Sequence, residues 1–318
     1  MSGRGSPVSG LGASVRQRLL NQSRAQERPF QELLQYFAME RFLYRLSRSG
    51  FSDRFVLKGA LLLTAWRAPV SRPTMDIDLA GRTSNELNHI AELMRAVCGV
   101  ATEPDGIEFV PASIEVSRIK EDADYEGVRV RFHATLARAR IPMQIDIGFG
   151  DIIVPAPIEL EYPTLLDLPA PVLHAYPRET VVAEKLEALT KLGLLNSRMK
   201  DYYDLALLSR MYPFTGELLV AAISATFRHR GTLIKAEPVG LSEAYYEDPA
   251  RALQWRAFVR RSRFTEQRGD LKELVIEVRQ FAHPLLLAAA GDQTFTVDWP
   301  VGGPWTPRTG FPGVLQDA

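Results

Sequence analysis

Hydrophobic residues recur at two different spacings along the chain, and the changes of spacing predict a mixed fold. Apolar residues return every three or four positions at 30–50 and 84–97, which predicts amphipathic helices. Apolar and polar residues then alternate in three segments, which predicts strands at 106–119, 127–137 and 141–149. From residue 178 the spacing is helical again. The pattern therefore predicts an α/β (α+β) protein, in which a mixed-sheet domain with helices precedes a helical C-terminal domain.

Clusters of Gly, Ser and Pro divide the chain into five parts. The predicted parts are a flexible N-terminal segment (1–28), a sheet-containing domain (29–153), a proline-rich connection (154–177), a helical domain (178–290) and a Gly/Pro-rich tail (291–318). Within the first part, residues 14–26 form an Arg-rich amphipathic stretch that is compatible with a helix. A length of 318 residues suits two domains, each with a core of its own.

The strongest chemical signal is the segment Thr-Met-Asp-Ile-Asp-Leu at 74–79. Along a strand, Asp76 and Asp78 would point to one face, while Met75, Ile77 and Leu79 would point into a core. Two carboxylates at about 4 Å repel by about 4 kcal/mol when the effective dielectric is about 20. A hard divalent cation such as Mg²⁺ or Mn²⁺ would remove this cost and leave room for a phosphate. The alternative is that both acids are simply solvated.

A third acid interrupts the last predicted strand of the first domain. Asp146 lies between Ile145 and Ile147, and a buried carboxylate needs a partner. One interpretation is a third metal ligand or a base beside the other two acids. The other is a salt bridge to a strand arginine, either Arg129 or Arg131.

Three features around residue 60 are typical of phosphate binding. Gly59 precedes a helix predicted at 60–66, where the backbone could approach an anion closely, although a plain tight turn is the alternative. Lys58 could reach a phosphate or be solvated. Arg72 precedes the paired acids and could neutralise a phosphate or form a salt bridge to one of them.

The helical domain contributes a second group of charged residues. Lys185 lies among apolar positions of a predicted helix, so its ammonium either snorkels to solvent or faces an anion. Asp201 and Asp204 share one side of the next helix. Their alternative role is to stabilise the first turn of that helix, with a salt bridge to Lys200.

Composition limits the possible partners and compartments. The chain has 38 basic and 38 acidic residues, so no overall field attracts nucleic acid, although basic clusters at 227–230 and 260–263 could contact RNA phosphates. The single cysteine, Cys98, excludes an intrachain disulfide and is predicted to be a packed core thiol. No apolar run is long enough to cross a membrane, and the N-terminus lacks the apolar core of a signal peptide. We therefore expect a cytoplasmic protein with no membrane partner.

Five motifs in this order resemble the AbiEii/AbiGii toxin family: LKGALLL, RPTMDIDL, IDIGFGD, YPRETVVAEKLEAL and NSRMKDYYDL. The glycine turn, the paired acids and the later single acid are also similar to the nucleotidyltransferase superfamily in general. The resemblance implies a polymerase-β-like nucleotidyltransferase domain, followed by a helical domain, in a toxin of abortive-infection and toxin–antitoxin systems. Some relatives transfer a nucleotide from NTP to the 3′ end of tRNA, and others are described as GTP-binding.

The resemblance also implies roles for individual residues. The implied catalytic residues are Asp76, Asp78, Asp146, Lys185 and Asp204, of which the first three would bind the metal. The nucleotide-binding candidates are Lys58, Gly59, Ala60, Arg72, Thr74, Lys185, Arg198, Lys200 and Asp201. Ala60 stands where the family usually has glycine or a small polar residue, so a hydroxyl contact to the triphosphate would be lost while backbone contacts remain. Which of Asp201 and Asp204 is essential stays open.

The expected function is transfer of an NMP from NTP to an acceptor hydroxyl, with Mg²⁺ or Mn²⁺ and release of pyrophosphate. The expected acceptor is the 3′ end of tRNA, and a cognate antitoxin is a further expected partner. The alternatives are nucleotidylation of a protein or a small molecule, or binding of GTP or another NTP without transfer.

Overall fold

The chain forms two compact units, each with a hydrophobic core. The computed structural model describes residues 7–68, 73–122, 125–262 and 269–308. The first unit comprises Met1–Asp151 and Pro157–Tyr176, and the second comprises Ile152–Ala156 and Pro177–Ala318. The first contains a mixed sheet with helices and the second is mainly helical, so the predicted fold class is confirmed.

The first unit is built on one mixed sheet. Its helices are α1 (Pro7–Ala25), α2 (Phe30–Arg48), α3 (Leu61–Ala65) and α4 (Leu87–Cys98). Its strands are β1 (Phe55–Lys58), β2 (Ile77–Gly81), β3 (Ile107–Phe109), β4 (Glu115–Asp122), β5 (Tyr125–Leu136), β6 (Ala139–Phe149), β7 (Ile158–Glu161) and β8 (Val172–Ala175). The strand order is β3-β5-β6-β2-β1-β8-β7, and β4 also pairs with β5. The pairs β2–β6 and β1–β8 are parallel, whereas the other pairs are antiparallel.

Strict alternation in β5 and β6 turns one face of this sheet into a core. The apolar positions of both strands are buried, and the ring of Phe132 lies 5.5 Å from that of Phe42 on α2. Phe109 of β3 contacts Phe42 edge-on at 5.7 Å. Because successive side chains of a strand point to opposite faces, the polar positions of these strands lie on the face away from α2. This second face carries the candidate site.

Helix α2 is buried on all sides between Leu33 and Leu46, although the sequence predicted only ordinary amphipathic packing. Arg41 is 1% exposed and donates two hydrogen bonds of 3.0 Å to the carbonyl oxygen of Pro169. Glu40 accepts a hydrogen bond of 2.7 Å from the N–H of Leu165. These buried charged groups attach the chain around 165–169 to α2.

The buried carboxyl of Glu40 makes stability depend on pH. Burial raises the pKa of Glu40 from 4.5 to about 7, so its favourable contribution is complete below pH 4.5 and is lost as the pH rises through about 7. The Glu40→Gln side chain cannot ionise, so its stability should not show this dependence. Between about pH 4 and about pH 8 we expect the free energy of unfolding of the wild type to fall by about 2–3 kcal/mol relative to that of the variant. Urea unfolding of both proteins at the two pH values measures the difference. A difference that does not change with pH would contradict the raised pKa.

The structure corrects three predictions at the edges of the first unit. The N-terminal segment is not flexible at 7–25, because α1 buries Val15 and Leu19; residues 1–6 lie outside the described ranges. The predicted connection at 154–177 contains β7 and β8, and β8 pairs in parallel with β1. Met75 is 53% exposed and not part of a core, because it precedes β2, whereas Ile77 and Leu79 are buried as predicted.

The second unit packs helices around an apolar centre. Its helices are α5 (Arg178–Leu192), α6 (Met199–Met211), α7 (Gly216–His229), α8 (Glu243–Tyr246), α9 (Pro249–Ser262) and α10 (Leu271–Ala290). Its strands are β9 (Phe214–Thr215), β10 (Val297–Trp299) and β11 (Thr306–Pro307). Leu186, Leu205, Ile223 and Val278 are at most 1% exposed in its core. The sequence at 242–263 is compatible with a single helix, but the structure divides it into α8 and α9, with Pro249 at the start of α9.

The predicted C-terminal tail is part of this unit as far as residue 308. Strand β10 pairs with β9 and β11. The indole N–H of Trp299 donates a hydrogen bond to the carbonyl oxygen of Ser209, and the indole N–H of Trp305 donates one to the carbonyl oxygen of Phe281. From the sequence we expect Trp299, Trp305 and Phe311 to hold the tail on the surface, and of these three Phe311 lies outside the described residues. Aromatic side chains therefore attach the tail to the helices.

Two sequence expectations on burial can be compared with the structure. Cys98 is buried, as predicted, and burial raises the pKa of its thiol to about 12. No helix within the described ranges is long and apolar enough to cross a membrane.

Candidate active site

Four charged residues form a row across four neighbouring strands. Lys58 of β1 pairs with Asp78 of β2, Asp78 pairs with Asp146 of β6, and Asp146 pairs with Arg129 of β5. Residues that are directly opposite each other on neighbouring strands have their side chains on the same face of the sheet. The row therefore reads cation, acid, acid, cation, so that each acid has a basic residue on its outer side.

A third acid completes a carboxylate triad. Asp76 immediately precedes β2, and one carboxylate oxygen from each of Asp76, Asp78 and Asp146 lies within 4.8 Å of the other two. All three side chains are partly exposed, so the group lies within reach of solvent. Carboxylate oxygens are the ligands that hard divalent cations prefer. The structure thus brings together the three acids singled out from the sequence, in a group that can bind a metal ion.

The segment before β2 is anchored from α2, which positions Asp76. The hydroxyl of Thr74 donates a hydrogen bond of 2.7 Å to Oδ1 of Asp76. Thr74 is buried, and its backbone N–H donates to the Tyr36 hydroxyl at 3.1 Å. The buried Gln35 side chain donates to the carbonyl oxygen of Met75 at 3.2 Å. Tyr36 and Gln35 were missed by sequence reasoning, because nothing in a helical apolar pattern indicates which strand the helix will contact.

Asp146 is also one half of a bidentate ion pair. The guanidinium of Arg129 donates to both of its carboxylate oxygens, from Nε at 2.8 Å and from Nη2 at 2.7 Å. Gln144 donates to Oδ2 of Asp146 at 3.3 Å, while Arg131 donates to the amide oxygen of Gln144. The salt bridge to a strand arginine is therefore confirmed, with Arg129 as the partner, while the role of Asp146 as a metal ligand or base in the triad stays a prediction.

Gly59 is required by the side chain of Asp78. Gly59 has a φ of +73°, a conformation that disfavours other residues. A Cβ on Gly59 would lie 2.6 Å from Cγ and 2.7 Å from Cβ of Asp78, and still closer to Oδ2. The turn therefore lets the Asp78 carboxylate lie directly against the backbone. Helix α3, which follows, has only five residues, so it is shorter than predicted.

Lys58 is held by an acid outside the triad. Its ammonium donates a hydrogen bond of 2.7 Å to Oδ2 of Asp151, whose side chain is 1% exposed. A Cβ on Gly148 would lie 2.9 Å from Nζ of Lys58, so the ammonium lies against the backbone of β6 at this glycine. Asp151 was not singled out from the sequence, although it ends the motif IDIGFGD. Arg72, which we named as a phosphate ligand, lies outside the described residues.

In the second unit, Lys185 is clamped between two acids. Its ammonium on α5 donates to Oδ1 of Asp201 and to Oδ2 of Asp204 on α6, both at 2.8 Å. The three side chains are 15%, 6% and 2% exposed. The two acids hold the lysine equally, so the geometry does not single out one of them. Arg198 and Lys200, near the start of α6, are exposed.

The fold and the acid triad define a class of enzyme, the nucleotidyltransferases. The family described as "Nucleotidyl transferase AbiEii toxin, Type IV TA system" matches residues 41–280 of this chain. The chain therefore belongs to the AbiEii nucleotidyltransferase toxin family, and the resemblance found in the five motifs is confirmed. Membership of a type IV toxin–antitoxin family implies an NTP substrate and a cognate antitoxin.

Two solved structures from Helicobacter pylori are similar to this chain at 16% identity. One is a candidate nucleotidyltransferase, with a TM-score of 0.45 and coverage of 82% of this chain and 96% of that one. The other is JHP933, with a TM-score of 0.47 and coverage of 82% and 93%. No curated protein sequence matches the chain.

Proposed function

We propose that this protein is a Mg²⁺- or Mn²⁺-dependent toxin that transfers an NMP from NTP to the 3′ hydroxyl of tRNA. The observation that carries the proposal is the carboxylate triad, whose oxygens lie within 4.8 Å of one another in a member of a nucleotidyltransferase family. We place the reaction in the cytoplasm, where NTP and tRNA occur together, and we expect a cognate antitoxin to suppress it.

In this proposal Asp76, Asp78 and Asp146 hold the divalent cation, which supplies charge neutralisation for the α-phosphate and for the leaving pyrophosphate. The acceptor oxygen forms a bond to the α-phosphorus, and the bond between that phosphorus and the α–β bridging oxygen breaks. Pyrophosphate leaves, and the proton of the acceptor hydroxyl passes to a carboxylate oxygen of Asp146. The anchoring of Asp76 by Thr74 fixes one side of the site before substrate arrives.

The nucleotide-binding residues follow from the same proposal. The backbone at Gly59 and Ala60, with Lys58, Arg72 and Thr74, receives the triphosphate. The resemblance assigns Lys185, Arg198 and Lys200 of the second unit to nucleotide binding, and we keep this assignment as a prediction. The two ion pairs of 2.8 Å support a positioning role for Asp201 and Asp204, because they hold the Lys185 ammonium in one place.

One observation favours a second candidate function, which is NTP binding without transfer. Arg129 engages both oxygens of Asp146, so this acid could serve the sheet alone and leave the triad unable to perform chemistry. Tight NTP binding without release of pyrophosphate would support this alternative.

The decisive experiment incubates the purified protein with total tRNA, Mg²⁺ and each NTP in turn, radiolabelled on the α-phosphate. We expect one or more NTPs to label RNA at its 3′ end, with loss of labelling in EDTA and recovery when Mg²⁺ is restored in excess. The matched control uses the same NTP labelled on its γ-phosphate, which should leave RNA unlabelled because that phosphate departs with pyrophosphate. Label on a protein band would identify a protein acceptor, and absence of RNA labelling with all NTPs would refute transfer to tRNA.

A further inference from the structure

The carboxylate triad contains its own counter-ion. Arg129 lies opposite Asp146 in the antiparallel β5–β6 pair, and its guanidinium binds both carboxylate oxygens at 2.8 and 2.7 Å. The side chains of Arg129 and Asp146 are 29% and 14% exposed, so the pair lies at the boundary between sheet and solvent. A bidentate pair between arginine and a carboxylate is stronger than a single hydrogen bond between them.

The pair bears directly on metal binding, because a cation and a guanidinium compete for the same oxygens. Asp146 offers the triad an oxygen within 4.8 Å of those of Asp76 and Asp78. A divalent cation at that point meets the positive charge of Arg129 a few ångströms away, which opposes its binding. By contrast, Oδ1 of Asp76 accepts from the neutral hydroxyl of Thr74, which opposes a cation far less.

We propose that Arg129 is a positioning residue that competes with divalent cations for Asp146 and thereby sets the metal affinity of the site. The cation binds first through Asp76, whose neighbour is the neutral Thr74 hydroxyl, and Asp146 becomes a ligand only when the guanidinium releases it. This inference rests on the proposed function, because it requires the triad to be a metal site. It also explains how adjacent in-register acids are tolerated in the sheet before metal binds.

The test measures Mn²⁺ binding to the full chain by electron paramagnetic resonance of the free ion, without any substrate. We expect Arg129→Met to bind Mn²⁺ at least about tenfold more tightly than the wild type, because a unit positive charge is removed from beside the site. Arg131→Met is the matched control: the same charge is removed from the same strand and face, two residues away, where the partner is Gln144. Its affinity should stay within about twofold of wild type, because solvent screens this exposed charge.

A second variant and a second readout keep the test decisive. Arg129→Lys retains the charge but loses the bidentate geometry, and it should bind Mn²⁺ with an affinity between those of wild type and Arg129→Met. Thermal unfolding should show Arg129→Met destabilised without metal and recovered by Mn²⁺. If both Arg129 variants bind Mn²⁺ as wild type does, while Asp76→Asn binds it more weakly, the inference fails but the metal site stands. If no protein in the series binds Mn²⁺, the inference and the proposed metal site both fail.

Discussion

Replacing Asp76 by alanine is expected to lower the rate of nucleotidyl transfer by about 100- to 1000-fold. This is the loss found when a group that stabilises developing charge is removed. The variant loses one carboxylate of a triad whose oxygens lie within 4.8 Å of one another, so the cation is held more weakly and less accurately. The fold should survive, because removing one of three neighbouring negative charges relieves repulsion. The cost is the hydrogen bond from Thr74, about 1 kcal/mol. Initial rates of RNA labelling and urea unfolding measure the two effects.

The matched control for this change is Asp53→Ala, which removes an exposed aspartate from a short turn of the same unit. It should transfer at the wild-type rate. Wild-type transfer by Asp76→Ala would remove Asp76 from the metal site. A loss of transfer that is matched by a loss of folded protein would show that Asp76 acts on the structure and not on the reaction.

Gly59→Ala should be the most damaging single-methyl change in the first unit, because it combines two separate costs. The positive φ of +73° costs a non-glycine residue about 1–2 kcal/mol. The new Cβ would also lie 2.7 Å from Cβ of Asp78, and relieving such overpacking costs about 1–3 kcal/mol more. Asp78 must then move away from its place in the triad, so we expect transfer to fall about 100-fold or more. Urea unfolding and RNA labelling provide the two measurements.

Gly150→Ala separates these two costs. Gly150 has a φ of +81°, but within the described part of the chain no atom beyond its two sequence neighbours lies within 4 Å of the position that its Cβ would take. The variant should therefore lose only the conformational part, about 1–2 kcal/mol, and should retain transfer. If Gly59→Ala is no less stable and no less active than Gly150→Ala, the contact between Gly59 and Asp78 has no functional importance.

Much of the site was predictable because its residues stand out from the pattern of their immediate neighbours in the sequence. Asp76 and Asp78 are separated by one residue beside apolar positions, and Asp146 interrupts a run of isoleucines, so period-two alternation alone placed them on polar faces. Lys185 was conspicuous as a charge on an apolar helix face. The same local periodicities predicted β5 and β6 close to their observed bounds. The roles of these residues in binding metal and nucleotide remain predictions.

The parts that could not be predicted depend on which distant segments meet. Arg129 and Arg131 are equivalent in the sequence, and only the β5–β6 register puts Arg129 opposite Asp146. The acid that pairs with Lys58 is Asp151, which lies far along the chain. The geometry does not choose between Asp201 and Asp204, because both accept a hydrogen bond from Lys185. The N-terminal segment was predicted as flexible, because a short helix is stabilised mainly by packing against a surface that the local sequence does not reveal.

The sequence by itself therefore determined the fold class, the family and the identity of the triad acids, because periodicity and motif spacing are properties of neighbouring residues. The tertiary structure alone decided how those acids are compensated: Arg129 on Asp146, Thr74 on Asp76, and the bare backbone of Gly59 against Asp78. Strand register and chain packing set these contacts, and both arise only when segments remote in sequence are brought together.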